Sequence, residues 1–226
     1  MPELQGSISL DDLPQRIPIF PLVGVLMLPG SQLPLNMFEP RYLEMTRDAL
    51  AGHRIIGMIQ PRDATTSAHE PEVYSVGCAG KIVKFAETDD GRYLITLLGL
   101  CRFKVIEELD RTTGYRQTIV DYTGFHDDLK PMEDGEVDRA RLLCALRSYL
   151  DFAGMPADWE AIDRAPTGPL INSLAMICPF APGEKQALLE AANLTERSRV
   201  LTTLMEMAHL EHSGVAGASD GEPPVQ

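Results

Sequence analysis

Two histidines near the C-terminal end of the chain come nearest to the spacing of a metal site. His209 and His212 are three residues apart, with Glu211 between them. A zinc-binding helix instead needs two histidines at i and i+4, so that both imidazoles lie on one face beside the glutamate. We therefore expect a solvated helix end, where histidines are favoured by the helix dipole, and we predict no metal site.

Other motifs that could support catalysis also fail on spacing. Gly77-Cys-Ala-Gly-Lys81 is too short for a phosphate-binding loop, and Ile82 stands where a magnesium-binding hydroxyl is needed. The Gly-x-Gly-x-x-Gly spacing of a dinucleotide-binding turn does not occur. We therefore predict no catalytic residues, no cofactor and no enzymatic activity.

Arg41 and Tyr42 are the residues that most favour binding. Arginine and tyrosine are enriched at the centres of protein interfaces, so this pair could line a recognition pocket. The structural alternative is that Arg41 forms ion pairs with Glu39 or Asp48 at the start of a helix. Both interpretations stay open at this point.

The segment that has to position these residues is apolar but interrupted by prolines. Prolines at 18, 21, 29 and 34 exclude a helix through residues 17–39, because each removes a hydrogen-bond donor. We predict an edge strand, a tight turn at Pro29-Gly30 and a second extended piece. A helix is predicted over 40–51, with Leu43, Thr46, Ala49 and Leu50 on its buried face.

Composition limits the possible partners. The formal net charge is −13, and the basic residues are scattered, so nucleic acid and anionic membranes are repelled. No run of eighteen apolar residues occurs, and the N-terminus lacks the basic region of a signal peptide. We expect a cytoplasmic protein. Its four cysteines are expected to be buried, reduced thiols.

The pattern of short strands, interior glycines and later helical periodicity predicts an organisation into five parts. Bent strands flanking Gly99 and a hairpin turn at 88–92 favour a small barrel over a parallel sheet. The predicted parts are an N-terminal arm (1–15), a β-rich barrel (16–126), a linker (127–135), a helical bundle (136–212) and a disordered tail (213–226).

Several motifs, in order and spacing, resemble the N-terminal substrate-binding domain of Lon proteases. They are Phe20-Pro-Leu22, Leu28-Pro-Gly30, Leu33-Pro-Leu35, Phe38-Glu-Pro-Arg-Tyr42, Ile56-Gly-Met-Ile-Gln-Pro61, Val76-Gly-Cys-Ala-Gly-Lys-Ile82, Asp90-Gly-Arg-Tyr-Leu-Ile-Thr-Leu-Leu-Gly99 and Arg102-Phe-Lys-Val105. The resemblance implies an α+β fold: a PUA-like six-stranded pseudo-barrel with one embedded helix, followed by a C-terminal helical bundle.

The resemblance also implies a function, which is recognition of unfolded or tagged protein segments. Because no ATPase or Ser–Lys peptidase motif follows, we expect a free-standing, bacterial-type domain that carries a peptidase S16 label without being a peptidase. Candidate peptide-binding residues are Phe38, Arg41 and Tyr42. Expected partners are extended protein segments and a separate protease or ATPase, in an adaptor or holdase role. RNA binding by the PUA-like barrel and small-molecule binding in a barrel pocket are the alternatives.

Overall fold

The computed structural model describes residues 8–63, 71–110, 112–132 and 136–216, with side chains to residue 210 in the last helix. The strands are β1 (Arg16–Pro21), β2 (Gln32–Met37), β3 (Ile55–Ile59), β4 (Val76–Glu87), β5 (Tyr93–Glu108) and β6 (Arg116–Asp121). The α-helices are α1 (Pro40–Ala51), α2 (Arg139–Ala153), α3 (Trp159–Arg164), α4 (Thr167–Ile177), α5 (Pro182–Glu190) and α6 (Leu194–Ala216). Short 3₁₀ helices cover Leu10–Asp12 and Thr123–Leu129.

The six described strands form one mixed sheet in the order β2-β5-β4-β3-β1-β6, and β6 also pairs with β5. Five strands therefore close into a ring, and β2 continues from β5 outside it. The β1–β3 pair is parallel, whereas the other pairs are antiparallel. The predicted α+β pseudo-barrel with one embedded helix, followed by a helical part, is confirmed.

The strand β5 runs without a break through Gly99, where the sequence predicted a bend between two strands. A Cβ atom at Gly99 would lie 2.2 Å from the carbonyl oxygen of Leu28. This contact leaves room only for glycine, and the amide of Gly30 donates to the carbonyl of Gly99 at 2.9 Å. Because Gly99 has no side chain, the turn before β2 can pack directly against the middle of β5.

The prediction that the first proline-rich piece is an edge strand is wrong. β1 has a neighbour on each side, and each neighbour covers only part of it. β6 pairs with Arg16–Ile19, and β3 pairs with Ile19–Pro21. Proline is tolerated at 18 and 21 because each residue lies in a part of the strand that has one unpaired side. The edge strand is instead the second piece, β2.

The helix predicted over 40–51 is confirmed as α1, but its buried face is turned from the predicted one. The buried residues are Tyr42, Met45, Thr46 and Ala49, while Leu43 and Leu50 are half-buried. Both sets have helical spacing, so spacing alone cannot choose between them. The choice falls on Tyr42 because its ring packs on Phe20 of β1, with centroids 4.4 Å apart.

Burial accounts for several of the methionines and for three of the four cysteines. Met27, Met37, Met45 and Met58 are all buried, which supports packing over an adaptable surface. Cys78, Cys101 and Cys178 are buried as expected, and burial raises the pKa of Cys101 to about 12. The expectation is wrong for Cys144, which is exposed on α2.

The described chain divides into two compact units, Met1–Met132 with Asn172–Glu190 and Glu133–Ile171 with Ala191–Gln226. In the second unit α2 packs on α6, and Arg141 donates to Glu206 at 2.9–3.0 Å. The domain boundaries predicted from the sequence stay a prediction. One feature differs from them, since residues 172–190 group with the strands.

Polar side chains join α5 to main-chain groups of the first unit. The Lys185 ammonium donates to the carbonyls of Gly24 and Met176 at 2.9 and 3.0 Å. The Gln186 amide donates to the carbonyl of Val76 at 3.1 Å. Such bonds satisfy buried polar groups, which are costly when unpaired, and they explain why this helix groups with the strands.

Arg102 on β5 forms a buried ion pair with Asp128. Its Nε and Nη2 atoms donate to the two carboxylate oxygens of Asp128 at 2.8 Å, and its Nη1 donates to the carbonyl of Leu189 at 3.0 Å. Only 5% of the Arg102 side chain and 9% of the Asp128 side chain are exposed. One guanidinium therefore joins β5, the second 3₁₀ helix and the end of α5.

We predict that Asp128→Ala lowers the free energy of unfolding by about 3–5 kcal/mol, because it leaves the Arg102 charge buried without its partner. Urea unfolding followed by circular dichroism measures this loss. Glu72→Ala is the matched control, since it removes the exposed Arg62–Glu72 pair and is expected to cost under about 1 kcal/mol. Equal losses in the two variants would contradict the assignment.

Candidate functional site

A pocket of about 320 Å³ lies where the end of β1, the strand β2 and the start of α1 meet. Its lining residues are Phe20, Pro21, Leu22, Pro34, Leu35, Asn36, Met37, Phe38, Glu39, Arg41 and Tyr42. All three candidate residues, Phe38, Arg41 and Tyr42, are therefore brought to one place. Whether they bind peptide stays a prediction.

Stacked side chains form one wall of the pocket. Tyr42 is 8% exposed, and its ring packs on Phe20 at an interplanar angle of 52°. The guanidinium carbon of Arg41 lies 4.5 Å from the centroid of the Tyr42 ring, within the range of a cation–π contact. The wall is therefore rigid and largely apolar, with one cationic group on its surface.

The contacts of Arg41 test one of the two sequence interpretations, the ion pair, whereas a role in recognition stays a prediction. Its Nε and Nη2 atoms contact the Glu39 carboxylate at 2.9 and 2.8 Å, so the predicted ion pair with Glu39 is present, and the same residue lines the pocket. The second proposed partner, Asp48, instead accepts from the Tyr115 hydroxyl at 2.7 Å. Because Glu39 and Arg41 neutralise each other, they add no net charge to the pocket.

Phe38 is the exposed member of the site. Its exposure is 62%, and the Arg92 guanidinium lies 6.0 Å from its ring centroid. It follows β2 directly and precedes Glu39, so its position depends on the end of the strand and the start of α1. A large apolar side chain exposed at the mouth of a pocket is typical of a binding surface.

The sequence interpretation missed the contribution of β1. Phe20, Pro21 and Leu22 line the pocket, although β1 and β2 are not paired in the sheet. Their apolar character in the opening segment was visible, but their closeness to residues 34–42 arises only from the fold. Another contact between segments distant in sequence holds α1 in place. The amide of Gly114 donates to the carboxylate of Glu44 on α1 at 3.2 Å.

The titratable side chains of the pocket lining are Glu39, Arg41 and Tyr42. Among its described lining residues there is no serine, cysteine, histidine or lysine to act as a nucleophile or proton carrier. Within the described ranges, no three His, Cys, Asp or Glu side chains are grouped as metal ligands would be. His209 is exposed, and the side chain of His212 lies outside the described residues.

One further pattern, Gly217-Ala-Ser-Asp-Gly221, carries the letters of a serine nucleophile elbow. Such an elbow needs a strand before it and a helix after it. Here the preceding element is α6, which ends at Ala216, and the pattern itself lies outside the described residues. It therefore adds no catalytic candidate.

Comparison with known proteins assigns the chain to a family. Residues 16–207 match the family model described as the ATP-dependent protease La (LON) substrate-binding domain. This match covers most of the chain, so the protein belongs to the LON substrate-binding domain family. The resemblance stated from the motifs is confirmed.

Full-length relatives and solved structures agree with this assignment. A Lon protease 2 of Myxococcus xanthus is 28% identical over 208 residues, covering 88% of this chain and 24% of the relative. A Lon protease 2 of Sorangium cellulosum is 30% identical over 200 residues, covering 84% of this chain and 24% of the relative. The chain therefore spans about a quarter of the length of these relatives.

Two solved structures share the fold. The crystal structure of a Lon N-terminal domain protein from Xanthomonas campestris has 26% identity and a TM-score of 0.57, covering 83% of this chain and 97% of that chain. The N-terminal domain of a Mycobacterium avium complex Lon protease has 18% identity and a TM-score of 0.59, covering 84% of this chain and 98% of that chain. Among the described helices, none combines the length and apolar composition needed to cross a membrane.

The Tyr115–Asp48 bond predicts a specific pH dependence of stability. Burial first, and then the hydrogen bond and charge of Asp48, raise the pKa of the Tyr115 hydroxyl above its ordinary value. A tyrosine whose folded pKa is raised stabilises the fold below its unfolded pKa of about 10, and this contribution is lost as the pH rises above it. We predict that the free energy of unfolding of wild type exceeds that of Tyr115→Phe by about 1–2 kcal/mol at pH 8. This difference in unfolding free energy should shrink above about pH 10.

Urea unfolding of both proteins between pH 8 and 11 measures that difference. Tyr93→Phe is the control, because no hydrogen bond to the Tyr93 hydroxyl occurs among the described residues, and its difference from wild type should stay constant. A Tyr115→Phe difference that does not change with pH would refute the prediction.

Proposed function

We propose that this chain is a non-catalytic binding module that receives extended segments of other proteins at the pocket of Phe38, Arg41 and Tyr42. The observation that carries the proposal is the combination of an apolar pocket with a phenylalanine that is 62% exposed at its mouth. Membership in a family described as a substrate-binding domain supports it.

The proposed ligand class follows from the chemistry of the lining. Unfolded chains expose the apolar side chains that folded proteins bury, and a half-enclosed apolar pocket removes such a side chain from water. Tyr42 and Arg41 are of the residue types that dominate interface energies when they are held rigidly. The stacking of Tyr42 on Phe20 and the ion pair of Arg41 supply this rigidity.

The proposed biological role is that of an adaptor or holdase in cytoplasmic protein quality control. The relatives that share this region are named Lon proteases, and the chain corresponds to about a quarter of their length. A separate protease or ATPase is the proposed partner that would act on the bound segment.

We predict that Phe38→Ala weakens binding of an unfolded protein by about ten-fold, because truncating an interface anchor costs more than 1 kcal/mol. The measurement is fluorescence anisotropy of reduced, carbamidomethylated lysozyme titrated with the purified chain. The fold should be unaffected, since Phe38 is largely exposed.

Ile106→Ala is the matched control. Ile106 is 59% exposed on β5 and is not part of the pocket lining, so its loss should leave binding within about two-fold. Equal weakening by both variants would indicate non-specific apolar binding and sink the proposed site. Binding of a labelled 20-nucleotide RNA that weakens steeply with salt would favour the RNA alternative instead.

We also predict that the purified chain neither hydrolyses ATP nor cleaves casein while it still retains unfolded protein. The physical reason is that the described pocket lining holds no serine, cysteine, histidine or lysine, and that its carboxylate, Glu39, is paired with Arg41. Phosphate release and casein fragmentation are measured on a preparation purified to homogeneity. Turnover that follows the protein through purification would contradict the non-catalytic role.

A further inference from the structure

The strand β2 has one paired edge and one unpaired edge within the described structure. It pairs only with β5, with Leu33 opposite Leu97, Pro34 opposite Thr96 and Leu35 opposite Ile95. At the start of the strand the Gly99 amide donates to the carbonyl of Ser31 at 2.9 Å. Because main-chain groups alternate along an antiparallel strand, the odd-numbered residues of β2 face β5 and the even-numbered residues face the unpaired edge.

Proline at 34 agrees with this assignment, since proline is found where its missing N–H would face away from the ladder. The unpaired edge therefore offers the N–H and C=O groups of Gln32 and Asn36 and the C=O group of Pro34. No hydrogen bond to these five groups from outside β2 is found among the described residues. All three residues are exposed.

The pocket runs along this same edge. It is lined by four consecutive β2 residues, 34–37, whose side chains alternate between the two faces of the sheet. A cavity on one face would touch only every second residue. The lining therefore places the pocket beside the edge of β2, where the end of β1 and the start of α1 adjoin this strand.

We propose that the occupant is a short extended segment of another protein, which adds to the sheet as a strand on β2 and places alternate apolar side chains in the pocket. This inference rests on the proposed function and names its binding mode. Unpaired main-chain donors and acceptors are matched by the main chain of a polypeptide, so the edge commits the ligand to that chemistry.

Two further observations limit the length and the charge of the segment that can bind. Pro34 interrupts the row of donors, so only a few residues can pair, and a long sheet-to-sheet contact with a second copy is disfavoured. The formal charge of −13 favours basic over acidic residues between the apolar ones, and the Glu39–Arg41 pair adds no net charge at the pocket that would oppose this preference.

The test uses the whole chain and the peptide acetyl-Lys-Leu-Lys-Phe-Lys-Leu-Lys-amide with a fluorescent label. Two N-methylated forms remove the amide hydrogens either from the apolar positions or from the lysine positions. Because alternate amides face opposite edges of a strand, one form should bind at least ten-fold more weakly than the parent and the other within three-fold. The peptide with glutamate in place of lysine should also bind at least ten-fold more weakly.

Variants of β2 give the reciprocal test. Asn36→Pro removes a donor that faces the unpaired edge and no ladder bond, so binding should weaken by about ten-fold with an unchanged circular dichroism spectrum. Pro34→Val adds a donor at that edge, so binding should tighten. If Asn36→Pro fails to fold, Pro34→Val and the N-methylated peptides still decide the question on folded protein.

The outcomes separate the two proposals. Equal weakening by both N-methylated peptides, together with ten-fold weaker lysozyme binding by Phe38→Ala, would overturn strand addition and leave the pocket function standing. The same holds if wild type binds unfolded lysozyme but not the parent peptide. Dimerisation of wild type in sedimentation that Asn36→Pro abolishes would assign the edge to a second copy and overturn the inference.

Discussion

The length of β5 is the constraint on which the rest of the barrel depends. A strand covering Tyr93–Glu108 is paired with β4 on one side, but no single neighbour covers its other side. β2 pairs with Tyr93–Leu98, and β6 pairs with Lys104–Glu108. The ring can close through β6 only because β2 ends its pairing before that point, and this division leaves β2 with an unpaired edge. Gly99 lies at the division and makes it possible, since any side chain there would collide with Leu28.

This division also explains where the pocket lies. The chain leaves β1, turns back over the middle of β5 and enters β2, so the end of β1 and the strand β2 are close without being paired. The start of α1 fills only part of the space between them. What remains is bounded by Phe20 on β1 and Tyr42 on α1, whose packed rings keep it from collapsing. A binding surface thus arises where the sheet pattern is incomplete.

Local signals predicted a large part of this architecture. The prolines and the Pro29-Gly30 pair marked irregular extended structure, and the helix predicted over 40–51 has the observed bounds of α1, Pro40–Ala51. The same signals failed where the local sequence is equally compatible with two different structures. Helical spacing allowed either of two faces of α1 to be buried, and proline in β1 suggested an edge because the partial overlap of two neighbours cannot be read from one strand. Cys144 was expected inside on the basis of residue type, although it lies on the exposed side of α2.

The sequence by itself determined the family, the bounds of α1 and the motif that holds Phe38, Arg41 and Tyr42, because these depend on residues that are neighbours along the chain. Only the tertiary structure decided that Phe20 and Leu22 join those residues, that β2 is the edge, and that Asn172–Glu190 group with the strands. The reason is that each of these depends on contacts between distant segments. Pairing partners and buried hydrogen bonds, such as that of Lys185 with Gly24, are chosen by the geometry of the whole fold and leave little trace in local periodicity.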